Sequence, residues 1–238
     1  MTLSQVQVHV EDSPTDVVQS LAHQLWEWAH QDCEAHEFAA WALPGGHTPI
    51  SLYERLAADQ SRWPWPSLRL YLGDERRVPP TDPLNNFSMI RKHLLDRLRV
   101  PPAAVYPWPT LAAVPDCLAS YRQYLSPLPR EEGYPQLDVA LLGMGDDGHT
   151  ASVFPESPQY FAQGWVACGP GPQVDRLTLT LPLLRHARRV VFLITGAAKA
   201  DRVRHCLTDA EALEPAALLT RQAKEVHWFL DRGSAQAL

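Results

Sequence analysis

Strand-like runs alternating with helical patterns of about 10–15 residues predict an α/β fold: three layers, with a largely parallel, doubly wound sheet and helices on both faces. Two further observations carry that reading. "FAAWAL" (38–43), "LDVALLG" (137–143) and "RVVFLITG" (189–196) are nearly continuous apolar runs, as strands covered on both faces require. The 22 prolines fall mostly between the runs, notably in 79–83, 101–109 and 127–135, where they punctuate elements.

In chain order, "VQVHV" (6–10) alternates like a strand. Residues 14–31 place Val17, Leu21, Leu25 and Trp28 on one helical face, and "SPTD" supplies the start signal. "FAAWAL" is the second strand and "TPISLYERLA" (48–57) the second helix, with Thr48 suited to the N-cap and Pro49 to the first helical position. "LRLYLG" (68–73) reads as a strand and "NFSMIRKHLLDRL" (86–98) as a helix. Residues 113–128 repeat apolar positions at Val114, Leu118, Tyr121 and Leu125, a further helix. "LDVALLG", "LTLTLP" (177–182) and "RVVFLITG" follow as strands, then a helix near 197–207 and a last strand, "EVHWFLD" (225–231). No repeat or linker divides the chain, so residues 1–238 are expected to form a single α/β domain.

Composition narrows the function. A net charge of −6 argues against nucleic acid or an anionic membrane as partner, and no apolar run reaches the length of a membrane span. The four cysteines are scattered without a C-x-x-C pair, which suits packing thiols in a reducing compartment. With no signal-peptide pattern at the start, a cytoplasmic protein is expected, as a monomer or small homo-oligomer. Three lysines stand against eighteen arginines, so a lysine in a glycine-containing turn draws notice.

Ligands of parallel α/β sheets bind beyond the carboxyl ends of the strands. Four loops there are chemically unusual: "PGGHTP" (44–49), "GDERRVPPTDPLNN" (73–86), "GMGDDGHT" (143–150) and "TGAAK" (195–199). In the first, Gly45 and Gly46 let the backbone approach a bound group, and a helix N-terminus follows: an anion site, or simply a strand-to-helix turn. Lys199 falls in the first turn of a helix, where a cation opposes the dipole unless an anion lies between; a solvated surface lysine is the plainer reading. Arg176, ahead of "LTLTLP", is either an edge-strand charge or a second cation for the same anion.

His149 is the sharpest candidate for chemistry, because imidazole suits proton transfer at neutral pH. Asp147 lies two residues before it and Gly148 permits a tight turn; the other nine histidines read as structural. "GMGDDG" matches G-x-G-x-x-G in form, yet Cys168 and Gly169 stand where a ribose-binding acid is expected, and two aspartates would repel a pyrophosphate. No histidine pair has metal-ligand spacing, and Ser152 lacks a G-x-S-x-G elbow. Activation of water is the chemistry that remains.

Taken together, "GGHTP" (45–49), "GDERRVPPTDPLNN" (73–86), "LLGMGDDGHTASVFP" (141–155), "RLTLTLP" (176–182) and "GAAK" (196–199) resemble the 6-phosphogluconolactonase family, within the wider group that includes glucosamine-6-phosphate deaminases. The match runs from about residue 44 to 200, and the DGHTAS-x-FP block is its most specific part. The resemblance implies a Rossmann-like sheet and hydrolysis of 6-phospho-D-glucono-1,5-lactone, with no cofactor or metal and a small phosphorylated lactone as the only partner. By that likeness His149 is the general base, Asp147 orients it or binds sugar hydroxyls, and Asp74 and Arg76 (rather than Arg77) line the site. Arg176, Lys199 and the backbone of Gly45, Gly46, His47 and Thr48 hold the 6-phosphate. Two positions depart from the pattern: His47 stands where serine or threonine is common, and Asn85 where serine is. Two rivals are a deaminase, which carries a glutamate where this chain has Phe154, and a sugar-phosphate-sensing effector module, which normally follows a DNA-binding helical segment.

Overall fold

The computed structural model describes residues 5–238. Its opening alternating stretch is β1 (Gln5–Glu11), followed by α1 (Pro14–Ala35), whose N-cap Ser13 accepts the Asp16 N–H. β2 (Ala39–Leu43) turns into α2 (Ile50–Ala58), and β3 (Leu68–Leu72) passes through Gly73 into β4 (Asp74–Arg76). Then come α3 (Asn86–His93), β5 (Ala104–Tyr106), α4 (Val114–Leu125) and a two-strand hairpin of β6 (Arg130–Glu131) and β7 (Tyr134–Pro135). β8 (Val139–Leu142), β9 (Val166–Gly169), β10 (Arg176–Leu179) and α5 (Leu181–Arg185) precede β11 (Arg189–Ile194). The chain continues through α6 (Ala200–Thr208), α7 (Pro215–Gln222), β12 (Glu225–Asp231) and α8 (Arg232–Ala235).

The strands β1, β12, β11, β8, β2, β3 and β5 lie side by side in that order, every neighbouring pair parallel. Successive strand residues point to opposite faces, and every residue of β2 and β8 is buried, so both faces of the sheet are covered. From β2 the chain moves outward to β3 and β5, then returns to β8, β11 and β12 on the other side. The strand order therefore reverses between β2 and β8, the point at which such sheets open a crevice. No helix among the described residues is long and apolar enough to cross a membrane.

Several boundaries differ from expectation. "LTLTLP" does not run on as a strand to Pro182: β10 ends at Leu179, and Thr180 caps α5 by accepting the Leu183 N–H, with Pro182 in its first turn. β10 is also the centre of a separate antiparallel sheet, between β4 and β9. Thr48 does not cap α2: a turn from the His47 carbonyl to the Ile50 N–H leads in, and Pro49 takes the N-cap place without a side-chain bond. The helix expected over 86–98 ends at His93 and tightens into a 3-10 turn over 95–97.

Candidate active site

β3, β2, β8 and β11 carry the four unusual loops, and apart from their order along the chain these strands are consecutive in the sheet. A cleft of about 310 Å³ opens at their carboxyl ends. The loops after β2, β3 and β8 line it, together with Phe154, Pro172 and Arg176. The small antiparallel sheet forms one wall, and its attachment is specific. The Tyr121 hydroxyl of α4 donates to the Leu72 carbonyl at 2.8 Å and lies 2.8 Å from the Leu72 N–H, satisfying the end of β3 as the chain leaves for β4.

His149 reaches the cleft from a turn closed by two backbone bonds, Gly145 N–H to the His149 carbonyl and Gly148 N–H to the Gly145 carbonyl. Gly148 has φ +80°, in the left-handed region that glycine adopts without strain. A Cβ on Gly145 would collide with the His149 ring, so the imidazole can sit over this turn only because residue 145 is glycine. One oxygen of Asp147 accepts the His149 backbone N–H at 3.0 Å and lies 2.6 Å from Nδ1. Burial pushes the Asp147 carboxyl up, but its bonds to the His149 backbone and ring outweigh that and hold it below the usual carboxylate value. An ionised carboxylate only accepts, so Nδ1 carries a proton, and in the neutral imidazole the lone pair is then on Nε2. The Phe154 ring packs against the imidazole, 4.5 Å between centroids.

Across the cleft stand two arginines. Arg76 of β4 and Arg176 of β10 are directly opposed in the antiparallel register, and the Nε of each is buried with no partner among the described residues. Burial first, and the neighbouring Arg76 second, lower the pKa of Arg176. Like charges opposed across a strand pair are unfavourable unless an anion lies between them. Arg77 does not line the cleft; its Nη2 donates to the Ala112 carbonyl. Asp74 is buried, accepting from the Ser152 hydroxyl at 2.5 Å and from the Asn86 amide.

On the near wall, none of the Gly45, Gly46, His47 and Thr48 N–H groups has a partner among the described residues, and all four residues line the cleft. Lys199 stands outside the lining. Its Nζ donates to the Met144 carbonyl at 2.9 Å and pairs with the exposed Asp146 carboxylate at 2.5 Å, tying the β11 turn to the β8 turn.

Three supporting groups were not read from the sequence. Asn86 accepts from Arg76 and donates to Asp74, and its side chain fills the space a Cβ on Gly45 would need. Fully buried Glu75 accepts the Arg76, Asn86 and Phe87 N–H groups at 2.7–2.9 Å, seating β4 on the start of α3. Burial pushes its carboxyl up to about 7, against the downward pull of those three bonds. Behind the His149 turn, Arg202 of α6 donates to the Asp146 carbonyl at 3.0 Å and pairs with Glu214, while the Ala216 N–H holds the Gly148 carbonyl at 3.1 Å. The doubled Asn85-Asn86 was a usable signal; the Arg202 brace, 56 residues from its target, left none.

Residues 12–228 match the model of the family described as glucosamine-6-phosphate isomerases/6-phosphogluconolactonase. The chain belongs to that family. It is 39% identical to the 6-phosphogluconolactonase of Synechocystis sp. over 207 residues, 83% of each chain. It is 32% identical to that of Rattus norvegicus over 239 residues, covering 97% of this chain and 93% of the relative. The solved 6-phosphogluconolactonase from Trypanosoma brucei superposes with a TM-score of 0.86 at 29% identity, over 100% of both chains. A monomeric glucosamine-6-phosphate deaminase, 17% identical with a TM-score of 0.83, shares the fold. Of the two departures from the family pattern, Asn85 caps α3 by accepting the Ser88 N–H at 2.8 Å, a task serine and asparagine perform equally. His47 is exposed on the cleft wall.

Proposed function

We propose that this protein is a 6-phosphogluconolactonase, hydrolysing 6-phospho-D-glucono-1,5-lactone to 6-phospho-D-gluconate, the second step of the oxidative pentose phosphate pathway. The observation that carries this reading is one cleft holding the Asp147-backed imidazole of His149 and the opposed arginines Arg76 and Arg176, whose buried Nε atoms have no partner among the described residues.

His149 Nε2 takes a proton from water as the water oxygen bonds to lactone C1. The carbonyl π bond opens to an oxyanion, which Arg76 steadies. As the tetrahedral intermediate collapses, the bond from C1 to the ring oxygen breaks and the imidazolium returns the proton to that oxygen. Asp147 keeps Nε2 aimed and stabilises the imidazolium, and buried Asp74 fixes the wall on which Arg76 and Asn86 stand. The 6-phosphate lies between Arg176 and the free N–H groups of 45–48, and Lys199 reaches it by leaving the exposed Asp146 carboxylate. All three steps use residues of this chain, and no metal or cofactor enters them. Four free cysteines suit a reducing cytoplasm, and the core, continuous from α1 to β12, suits one domain.

Phe154 separates this reading from a deaminase. An amino-sugar ring must be opened and a proton moved between C1 and C2, and a phenyl ring in contact with His149 can neither give nor take one. The test is to assay proton release from freshly prepared 6-phosphogluconolactone and ammonia release from glucosamine 6-phosphate on one preparation, with and without EDTA. Lactone hydrolysis above the spontaneous rate, unaffected by EDTA and without ammonia, is expected. Ammonia without lactone hydrolysis would overturn the assignment, inhibition by EDTA the metal-free mechanism, and neither activity would leave the sensing module.

A further inference from the structure

The seven-stranded sheet ends very differently on its two sides. β5 has three residues, with Pro101 and Pro102 just before it and Pro107 and Pro109 just after, the usual devices that stop a sheet from adding another strand. β1 has seven, in unbroken register with β12, with no proline, glycine, lysine or bulge. Val6, Val8 and Val10 form a strip along one face of it, 40%, 42% and 50% exposed. The Gln5 N–H bonds the Lys224 carbonyl, so the main-chain groups of odd-numbered residues serve β12 and those of the three valines face outward.

We propose that two copies of this chain pair through β1, antiparallel about Val8, into one continuous sheet. The strand is complementary to itself in that sense alone. Centring on Val8 sets Val8 against its own counterpart, Val6 against Val10, Gln7 against His9 and Gln5 against Glu11. The valines then share one face, their outward N–H and carbonyl groups meet as hydrogen-bonded pairs, and no like charges are opposed. The strand ends match as well. Glu11, Asp12 and Asp16 cluster at the carboxyl end, with Arg232 paired to Asp12. The amino end lies beside Arg130, Arg188, Arg189 and Lys224, with Glu131 and Glu225; Arg188, Arg189 and Lys224 pair with Asp138, Asp32 and Glu131, and exposed Arg130 is the cation there that pairs with no carboxylate among the described residues. Antiparallel pairing turns each acidic end toward the partner copy's Arg130. A parallel arrangement would stack like on like.

Sedimentation equilibrium of the full chain should give twice the 26.7 kDa chain mass at micromolar concentration. Val8→Lys, which opposes two ammonium groups on the axis, should give the single-chain mass with an unchanged circular dichroism spectrum and full activity. Glu11→Lys should weaken association on the order of tenfold and invert its dependence on salt. A Val8→Cys chain should cross-link to its own copy with a short bismaleimide, whereas Val6→Cys, facing Val10 of the other copy, should not. A wild type that stays monomeric overturns the proposal, as does a dimer indifferent to both charge substitutions; a dimer that cross-links more readily through position 6 overturns the register. If Val8→Lys fails to fold, Glu11→Lys and the cross-links decide.

Discussion

The two ends of β11 sit in opposite electrostatic surroundings. At its start, Arg189 makes two bonds to Asp32, at 2.8 and 3.1 Å, and rests on the Trp28 ring, while Arg188 meets Asp138 at 3.0 Å. Asp138 spends its other oxygen on the Ala40 N–H. Every one of these charges is matched. Beyond its far end the cleft holds two opposed guanidinium groups with unpartnered Nε atoms and a row of free backbone N–H groups. Matched charges at the amino edge hold strands and helices together; at the carboxyl edge two arginines face each other, offset by Asp74 and Glu75 but with both Nε atoms unpartnered among the described residues. Substitutions at one edge should therefore move stability without activity, and at the other activity without stability.

The largest effect is expected from His149→Ala, which should lower kcat by about 10²–10⁴-fold, the contribution of a positioned base, with little change in melting temperature. Steady-state kinetics beside a thermal melt checks both halves, and a near-normal kcat would remove His149 from the mechanism. Asp32→Ala should do the reverse. It leaves half-buried Arg189 with only the Glu225 carboxylate at 3.8 Å, costing about 1.5–3 kcal/mol and roughly 3–12 °C in Tm, with kcat/KM preserved. Lost activity in the folded variant would erase the contrast between the edges.

Arg176→Ala should raise KM for the phosphorylated lactone by tenfold or more, for the loss of a charge-assisted contact of about 1.5–3 kcal/mol. It should leave unphosphorylated gluconolactone unaffected, and Tm equal or higher because Arg76 loses its like-charged neighbour. A fall in Tm comparable with that of Asp32→Ala would show the arginine to be structural. Arg202→Ala, behind the His149 turn, should lower kcat on the order of tenfold through misaiming of His149, with KM little changed; a pure KM effect would place it at the substrate instead.

The smallest effect is a pH slope from a histidine pair midway along β1 and β12, between the two edges. His9 and His227 lie 3.1 Å apart, and burial above all holds both below the ordinary 6.5. Below pH 6.5 the unfolded chain binds protons that the folded chain refuses. Their contribution to stability is therefore whole above 6.5 and is lost as pH falls through the lowered values. Between pH 7.5 and 5.5 the wild type should lose more Tm than a His9→Gln/His227→Gln variant, and parallel curves would exclude the pair.

Local pattern sufficed for much of this molecule. Periods of 2 and 3.6 residues, with apolar runs and glycine turns, yielded six of the seven strands of the main sheet, the long helices and the four loops at one edge, because burying one face of an element imposes that spacing on its own neighbours in sequence; three-residue β5, set between prolines, is too short to show a period and was not read. Asp147 and His149 were legible together for the same reason: they lie two positions apart and Gly148, between them, turns the chain. Tertiary structure alone decided which partners distant groups found. Arg76 faces Arg176 only because β4 pairs with β10, a strand whose alternation reads the same in either sheet. Asn86 needs Gly45 bare, Glu75 is sunk into the start of α3, and Arg202 reaches back 56 residues to the His149 turn. Each of those contacts joins residues far apart in the chain, and spacing along the chain carries no information about a distance closed only when the sheet assembles.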